Sequence, residues 1–159
     1  MTHGVAHNKP CDLCALLAGF DAEAVTVPSA LVWRDAQLAV VLVDEPGYPG
    51  FCRVVWHAHV KEMSDLAASE RSRVMDVVWQ VELAQREVMR PEKINLASFG
   101  NMTPHLHWHV IPRYLDDAHF PNPTWAAVQR AAAPDTLATR AALLPQLRAA
   151  IVQRLGAPA

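Results

Sequence analysis

Three histidines at alternating positions, His105, His107 and His109, are the side chains of this 159-residue chain best placed to carry out chemistry. Side chains alternate between the two faces of a β-strand, so the three imidazoles share one face while Leu106 and Trp108 take the other. A neutral imidazole is a nucleophile, a proton acceptor and a metal ligand near pH 7. A catalytic metal is disfavoured because no glutamate or fourth ligand follows at suitable spacing. The pattern predicts a strand with one functional face.

Cys11 and Cys14 form the second group of chemically capable side chains. The two residues between them let both thiolates bind a single zinc ion. A redox pair normally stands at the start of a helix that follows a strand, and nothing strand-like precedes Cys11. Zinc binding is the favoured interpretation, while two incidental core cysteines and a redox pair stay open as alternatives. Cys52 leaves an odd total of three, which argues against a disulfide framework.

These residues must be positioned by a fold that contains both strands and helices. Five segments are rich in strand-forming residues, and the last two are joined by a turn too short for a crossover helix, so they should pair antiparallel. Between Ser69 and Arg90 apolar residues recur at spacings of three and four, which predicts a long amphipathic helix ending before Pro91. The predicted strands are Leu31–Arg34, Leu38–Val43, Cys52–His57, Ile94–Phe99 and His105–Ile111.

The expected fold class is α+β, a five-stranded antiparallel sheet with one long helix and a C-terminal helical tail. Residues 1–10 are expected to be a flexible N-terminus, residues 11–115 the domain that holds the sheet, and residues 116–159 a C-terminal loop and helical extension packed on it. Within that extension Leu137–Leu155 is alanine-rich and predicted to be helical. Pro145 should break this helix or start a second one.

Charge and hydropathy argue against several functional classes. The formal net charge of −2 provides no broad basic surface for a nucleic acid polymer. No apolar run approaches the roughly 20 residues that span a membrane. The first ten residues lack the apolar segment of a signal peptide, so a cytoplasmic location is expected.

The histidine segment, Pro104–Tyr114, reads PHLHWHVIPRY and resembles the signature of the HIT (histidine triad) superfamily, His-x-His-x-His with apolar residues between the histidines. The trailing Ile-Pro-Arg is typical of one bacterial branch, which contains zinc and is related to nucleotide phosphoramidases and dinucleoside polyphosphate hydrolases. The similarity extends from Cys11 to about Tyr114. It implies a HIT-like fold for the sheet and helix, and a homodimer that binds a mono- or dinucleoside phosphate derivative.

The activity implied by the resemblance is cleavage of a phosphoanhydride or phosphoramidate bond at a nucleoside α-phosphate, by hydrolysis or transfer. His107 would attack phosphorus to form a nucleotidyl-histidine, with no catalytic metal required, and His109, about 7 Å further along the strand, would stabilise charge on the phosphate. Asp44 matches a ribose-contacting position of the family and Asn101 a phosphate-contacting one, although Asn101 also suits a simple turn. Arg113 shares the histidine face by parity and suits phosphate binding.

The resemblance also implies a structural zinc site. The zinc-containing branch binds the ion through a Cys-x-x-Cys pair, a histidine at the end of the third strand and the first histidine of the triad. His57 and His59 both lie at that strand end, and alignment on Gly50 favours His59. Four protein ligands leave no open coordination position, so the ion would be structural. The ligands carried over to this chain are Cys11, Cys14, His59 and His105.

The chain departs from the family pattern at Phe51, where many members have a histidine after the glycine that precedes the third strand. A polar neighbour of the expected nucleophile is lost there. An alternative function therefore stays open, namely a nucleotide-binding module with little or no catalytic turnover.

Overall fold

The computed structural model describes residues 11–21 and 30–156, and the segment predicted to be a flexible N-terminus lies outside these ranges. A short 3-10 turn at Met63–Asp65 precedes the long helix. In chain order the helices and strands are α1 (Asp12–Asp21), β1 (Leu31–Arg34), β2 (Leu38–Leu42), β3 (Cys52–Trp56), α2 (Ala68–Met89), β4 (Lys93–Ala97), β5 (His107–Arg113), α3 (Pro134–Ala141) and α4 (Leu144–Leu155).

The five strands form one antiparallel sheet in the order β1-β2-β3-β5-β4, which confirms the predicted α+β class. The turn from β1 to β2 is closed by Asp35, whose carboxylate accepts hydrogen bonds from the backbone N–H groups of Gln37 and Leu38, each 2.8 Å away. β3 and β5 lie inside the sheet and are hydrogen-bonded along both edges. Side chains on these two strands, as on the interior strand β2, are therefore held firmly in place.

β5 begins at His107, two residues later than predicted. The reason lies in Leu106, whose N–H donates to the carbonyl of Val60 at 2.7 Å while its own carbonyl accepts from Trp56 at 3.1 Å. Because of this contact with the segment after β3, the backbone at Leu106 does not continue the regular hydrogen-bond pattern between β3 and β5. His105 consequently lies just before the strand and is directed differently from the other two histidines.

The predicted C-terminal helix is two helices, α3 and α4, with a break at Ala142 and Leu143. Pro145 is the second residue of α4, where its missing N–H removes no helical hydrogen bond, so the proline starts the second helix. Within the described ranges, no helix is both long and apolar enough to cross a membrane.

The two faces of the sheet have different coverings. One face carries residues such as Val54 and Val110 and packs against α2 and α4 in the main hydrophobic core. The other face carries Val55, which packs with Leu13 of α1 in a smaller cluster. α1 covers only part of that second face, which also carries the histidines of β5 and a small apolar cluster of Tyr48, Phe51 and Ile111.

Candidate active site and metal centre

His107 and His109 project from the second face of the sheet, near its centre. In the register between β3 and β5, Val55 pairs with His107 and Arg53 pairs with His109. Directly paired residues on antiparallel strands share a face, so the Arg53 side chain lies next to the imidazoles. The two imidazole rings have centroids 4.9 Å apart. β5 thus supplies two neighbouring imidazoles from a backbone that is held on both sides.

The His107 ring has one nitrogen committed and one available. Its Nδ1 lies 2.6 Å from the backbone carbonyl oxygen of His105 and donates a hydrogen bond to it. Nε2 then carries the lone pair. Burial lowers the pKa of His107, and the nearby charge of Arg53 adds to this against the opposing effect of the carbonyl. The ring is therefore neutral near pH 7, with Nε2 as its nucleophilic atom.

His109 has no protein partner for either ring nitrogen within the described ranges, although both nitrogens are buried. Aromatic rings surround it, with centroids of Phe51, Phe99 and Trp125 at 5.3, 5.6 and 5.7 Å from its own. Burial lowers its pKa to about 3, assisted by the charge of His107 when protonated. A buried polar group without a partner is costly. A bound group that hydrogen-bonds His109 would remove that cost.

A cavity of about 950 Å³ opens over the two histidines, a volume within the roughly 300–1,000 Å³ of ligand pockets. Asn101 lines it, whereas Asp44 is an exposed loop residue that does not contribute to its walls. α1, the turn before β5 and the C-terminal segment form the walls. Besides Asn101 the lining residues are Asp12, Leu13, Leu16, Arg53, Phe99, Gly100, Met102, Thr103, His107, His109, Pro123, Thr124, Trp125 and Ala126.

Four sulfur and nitrogen ligands meet at the N-terminal end of α1, from Cys11, Cys14, His59 and His105, and all four ligand atoms lie within 4.8 Å of one another. The Sγ of Cys14 is 3.3 Å from Nδ1 of His59 and 3.4 Å from Nδ1 of His105. The Sγ of Cys11 is also 3.4 Å from the latter atom. Two thiolates and two imidazoles at such spacing suit a tetrahedral ion. These four residues can hold a metal ion.

His105 joins this cluster to the candidate active site. Its Nε2 donates to the carbonyl of Trp56 at 2.6 Å, which leaves the Nδ1 lone pair facing the thiolates. Its backbone carbonyl is the group that holds the His107 ring. His57, the other candidate at the end of β3, is outside the cluster, with its Nδ1 3.3 Å from the carbonyl oxygen of Ala36.

A family model of the HIT domain matches residues 25–116, more than half of the sequence. The chain belongs to the HIT domain family. The family assignment predicted from the histidine segment is therefore confirmed.

Two curated relatives of this HIT protein are both named AP-4-A phosphorylase and come from Mycobacterium tuberculosis strains CDC 1551 and H37Rv; each is 31% identical over 96 residues. The match covers 57% of this chain and 49% of each relative, so the chain spans about half the length of the curated relatives it matches. Among solved structures, a histidine triad protein from Bradyrhizobium japonicum has a TM-score of 0.63 at 24% identity, covering 79% of this chain and 90% of its own. A Zn-bound histidine triad family protein from Mycobacterium smegmatis has a TM-score of 0.60 at 23% identity, covering 90% and 94%. These two likenesses establish the fold.

Arg113 directs its guanidinium away from the cavity of this HIT domain. Its Nε and Nη2 donate to the two carboxylate oxygens of Asp117 at 2.7 and 3.0 Å, and both side chains are only 2% exposed. Nη1 donates to the side-chain oxygen of Asn95 at 2.6 Å, and Nη2 also donates to the carbonyl of Asn122 at 2.8 Å. Through these hydrogen bonds Arg113 attaches the C-terminal segment to the sheet. The structure does not support the predicted contact between Arg113 and a phosphate.

Replacement of Asp117 with asparagine is expected to lower the free energy of unfolding by about 3 kcal/mol, because it leaves Arg113 buried without its counter-charge. Burial alone would raise the pKa of Asp117, but hydrogen bonds from Arg113 and from three backbone N–H groups hold it below its usual value. The wild type therefore loses this stabilisation as the pH falls below about 4.

Urea unfolding measures both the effect of Asp117→Asn and the pH dependence of the wild type. Asp116→Asn is the matched control, since Asp116 is 55% exposed in its pair with Arg140 and should cost under about 1 kcal/mol. Equal losses in the two variants would contradict the prediction.

Sequence reasoning did not single out Arg53, α1 or Trp125 as parts of the site. The position of Arg53 beside His109 depends on the register between β3 and β5, which the sequence does not state. An arginine within the otherwise apolar segment Cys52–Trp56 was the available signal. Trp125 reaches the site through the irregular segment after β5, which no periodic pattern describes.

Proposed function

We propose that this HIT protein is a nucleotide hydrolase or transferase that cleaves a bond at a nucleoside α-phosphate through an intermediate on His107. The observation that carries the proposal is the 2.6 Å hydrogen bond from Nδ1 of His107 to the carbonyl of His105, within a cavity of nucleotide size. That bond selects the tautomer whose lone pair lies on Nε2. A neutral imidazole so oriented is a competent nucleophile near pH 7.

In the first step the Nε2 lone pair forms a bond to the α-phosphorus, and the bond from phosphorus to the leaving oxygen or nitrogen breaks. The departing group keeps that electron pair and takes a proton from solvent when its basicity requires one. The His107 ring becomes positively charged, so its hydrogen bond to the His105 carbonyl strengthens as the reaction proceeds. His109, which lacks protein partners, is assigned to a non-bridging oxygen of the same phosphate.

In the second step an acceptor attacks phosphorus and displaces the His107 nitrogen. Water as the acceptor gives a nucleoside monophosphate and releases a proton, which makes the protein a hydrolase. Inorganic phosphate as the acceptor gives a nucleoside diphosphate, which makes it a phosphorylase. The name of the curated relatives supports a test of both acceptors, and the shared step is the displacement at His107.

The cavity walls support a nucleoside as the rest of the substrate. Apolar side chains from α1 and the rings of Phe99 and Trp125 can contact a base. Asn101 also lines the cavity, and we assign its amide to a phosphate oxygen. Asp44 and Arg113 are not part of this proposal because neither lines the cavity.

A nucleotide-binding module with little turnover is the second candidate. Phe51 favours it, since its ring packs 5.3 Å from that of His109 and offers no hydrogen bond where many family members carry a histidine. The proposed reaction must then proceed with one polar group fewer.

The ion proposed for the four-ligand cluster is a structural zinc, with all coordination positions supplied by the protein. Two thiolates neutralise its charge, and His105 presents Nδ1 because its Nε2 is used on the Trp56 carbonyl. A homodimer and a cytoplasmic location stay predictions from the sequence.

The test is to incubate the purified protein with diadenosine tetraphosphate and, separately, with adenosine 5′-phosphoramidate, each with and without inorganic phosphate. We expect AMP without phosphate, and mass spectrometry of acid-sensitive, alkali-stable adducts should find an adenylyl group on His107. ADP formed only when phosphate is present would identify a phosphorylase. Binding of AMP with no turnover and no adduct would refute the enzyme and leave the binding module.

A further inference from the structure

Arg53 is the only arginine or lysine among the described residues that line the cavity. It lies on the interior strand β3, between the partners Val41 on β2 and His109 on β5. Its place in the sheet is therefore as well defined as those of the two histidines. No earlier step of the proposed reaction uses this cation.

The guanidinium of Arg53 has few partners of its own. Its Nε is buried without a hydrogen-bond partner, and it forms no ion pair with any carboxylate in the described ranges. Its guanidinium carbon lies 5.9 Å from the ring centroid of Phe51. Arg113, the other arginine buried near this face, has its donors filled by protein groups. The charge of Glu45 acts on Arg53 from a distance, without an ion pair between them. A half-buried cation with no carboxylate in direct contact is stabilised when a ligand brings negative charge to it.

The register between β3 and β5 also indicates which part of a substrate Arg53 can reach. Val55 pairs with His107, so Arg53 is one side-chain step, about 7 Å, further along the histidine face. A phosphorus atom held over His107 therefore has the guanidinium to one side, on the side of His109. An arginine fork suits a phosphate that continues the chain beyond the α-phosphate.

We infer that Arg53 binds the phosphate next to the one attacked by His107, and that it makes this site selective for phosphoanhydride substrates, whose leaving group is itself a phosphate. The inference rests on the proposed function and specifies its substrate class. When Nε2 of His107 bonds to phosphorus and the P–O bond breaks, the electron pair stays on a phosphate oxygen of the leaving group. Arg53 neutralises that developing charge. A phosphoramidate releases an amine, which needs a proton and gains nothing from a fixed cation.

The test compares Arg53→Met and Arg53→Lys with wild type on diadenosine tetraphosphate and on adenosine 5′-phosphoramidate. We expect Arg53→Met to lower kcat/KM for the tetraphosphate by at least about tenfold and for the phosphoramidate by less than about threefold, with Arg53→Lys in between. Arg86→Met is the control with the same change of charge, because Arg86 is exposed on α2, across the sheet from the cavity. Equal losses on both substrates, or no loss on either, would overturn the inference.

A binding measurement tests the role of Arg53 even if the protein proves not to be an enzyme. Calorimetric titration with AMP and with ADP should show that Arg53→Met weakens ADP binding by at least about tenfold and AMP binding by less than about threefold. If the wild type turns over neither substrate, the proposed function is refuted. The comparison of AMP and ADP binding then tests by itself whether Arg53 binds the second phosphate. A parallel loss for both nucleotides, or no loss for either, would show that Arg53 acts only through packing on Phe51.

Discussion

The His107→Asn variant is expected to lose at least about 10⁴-fold in kcat/KM toward whichever nucleotide the wild type cleaves. Asparagine retains a side-chain amide that can face the carbonyl of His105, but it has no nitrogen lone pair able to form a bond to phosphorus. The covalent intermediate cannot form, and direct attack by water then lacks its main source of acceleration. Single-turnover assays with labelled substrate measure the residual rate and the absence of the adduct.

His57→Asn is the matched control for this variant. His57 carries the same imidazole but lies outside both the cavity and the four-ligand cluster, with its Nδ1 on the carbonyl of Ala36. Its activity should stay within about twofold of wild type, because His57 neither lines the cavity nor supplies a ligand to the cluster. Nucleotide binding by His107→Asn should persist within about tenfold. A variant that binds nucleotide and keeps a tenth of the wild-type rate would exclude His107 as the nucleophile.

The second large effect is expected at the metal cluster. Cys14→Ala removes the thiolate that approaches both imidazoles, at 3.3 Å from His59 and 3.4 Å from His105. We expect loss of bound zinc and a fall of at least about 4 kcal/mol in the free energy of unfolding, since binding energy at a structural zinc site is folding energy. Activity should fall as well, because α1 forms a wall of the cavity and His105 holds the His107 ring.

Elemental analysis of freshly reduced protein, combined with urea unfolding, measures this effect. Cys52→Ala is the control, because Cys52 is buried in the main core and its Sγ donates to the carbonyl of Gly50, 3.4 Å away. That variant should keep one zinc ion per chain and lose only about 1–2 kcal/mol to the small cavity it creates. Unchanged zinc in Cys14→Ala, or wild-type protein without zinc, would refute the proposed centre.

Features with a regular period were predictable from the sequence. The strand positions and the helix α2 follow from alternation and from spacings of three and four, which reflect burial on one face. α1 was missed because its ten residues show no clear amphipathic period, and its position depends on packing against β2 and β3. The start of β5 was misplaced because the backbone of Leu106 pairs with Val60, a contact between residues far apart in the sequence.

In the candidate site, too, features with a local sequence pattern were predictable, whereas features that depend on the folded sheet were not. The spacing of Cys11 and Cys14 is visible in the sequence, and the resemblance to the zinc-containing branch implied His59 and His105 as the other two ligands. The structure brings all four together. The alternation of side chains along the strand predicted that Arg113 shares the histidine face. It could not predict the buried salt bridge to Asp117, which holds the guanidinium away from the cavity. Cross-strand register decides the role of Arg53, and register is set by the folded sheet.

The metal ligands also bear on the order in which the chain folds. Cys14 lies 45 residues from His59 and 91 from His105 along the chain, so the proposed ion closes two long loops at once. Closing loops of this length costs chain entropy, which is recovered only after the sheet has brought the two histidines together. α1 has ten residues, too few to be a stable helix alone in water. The sheet should therefore form first, and the rate at which α1 docks should depend on the concentration of free zinc.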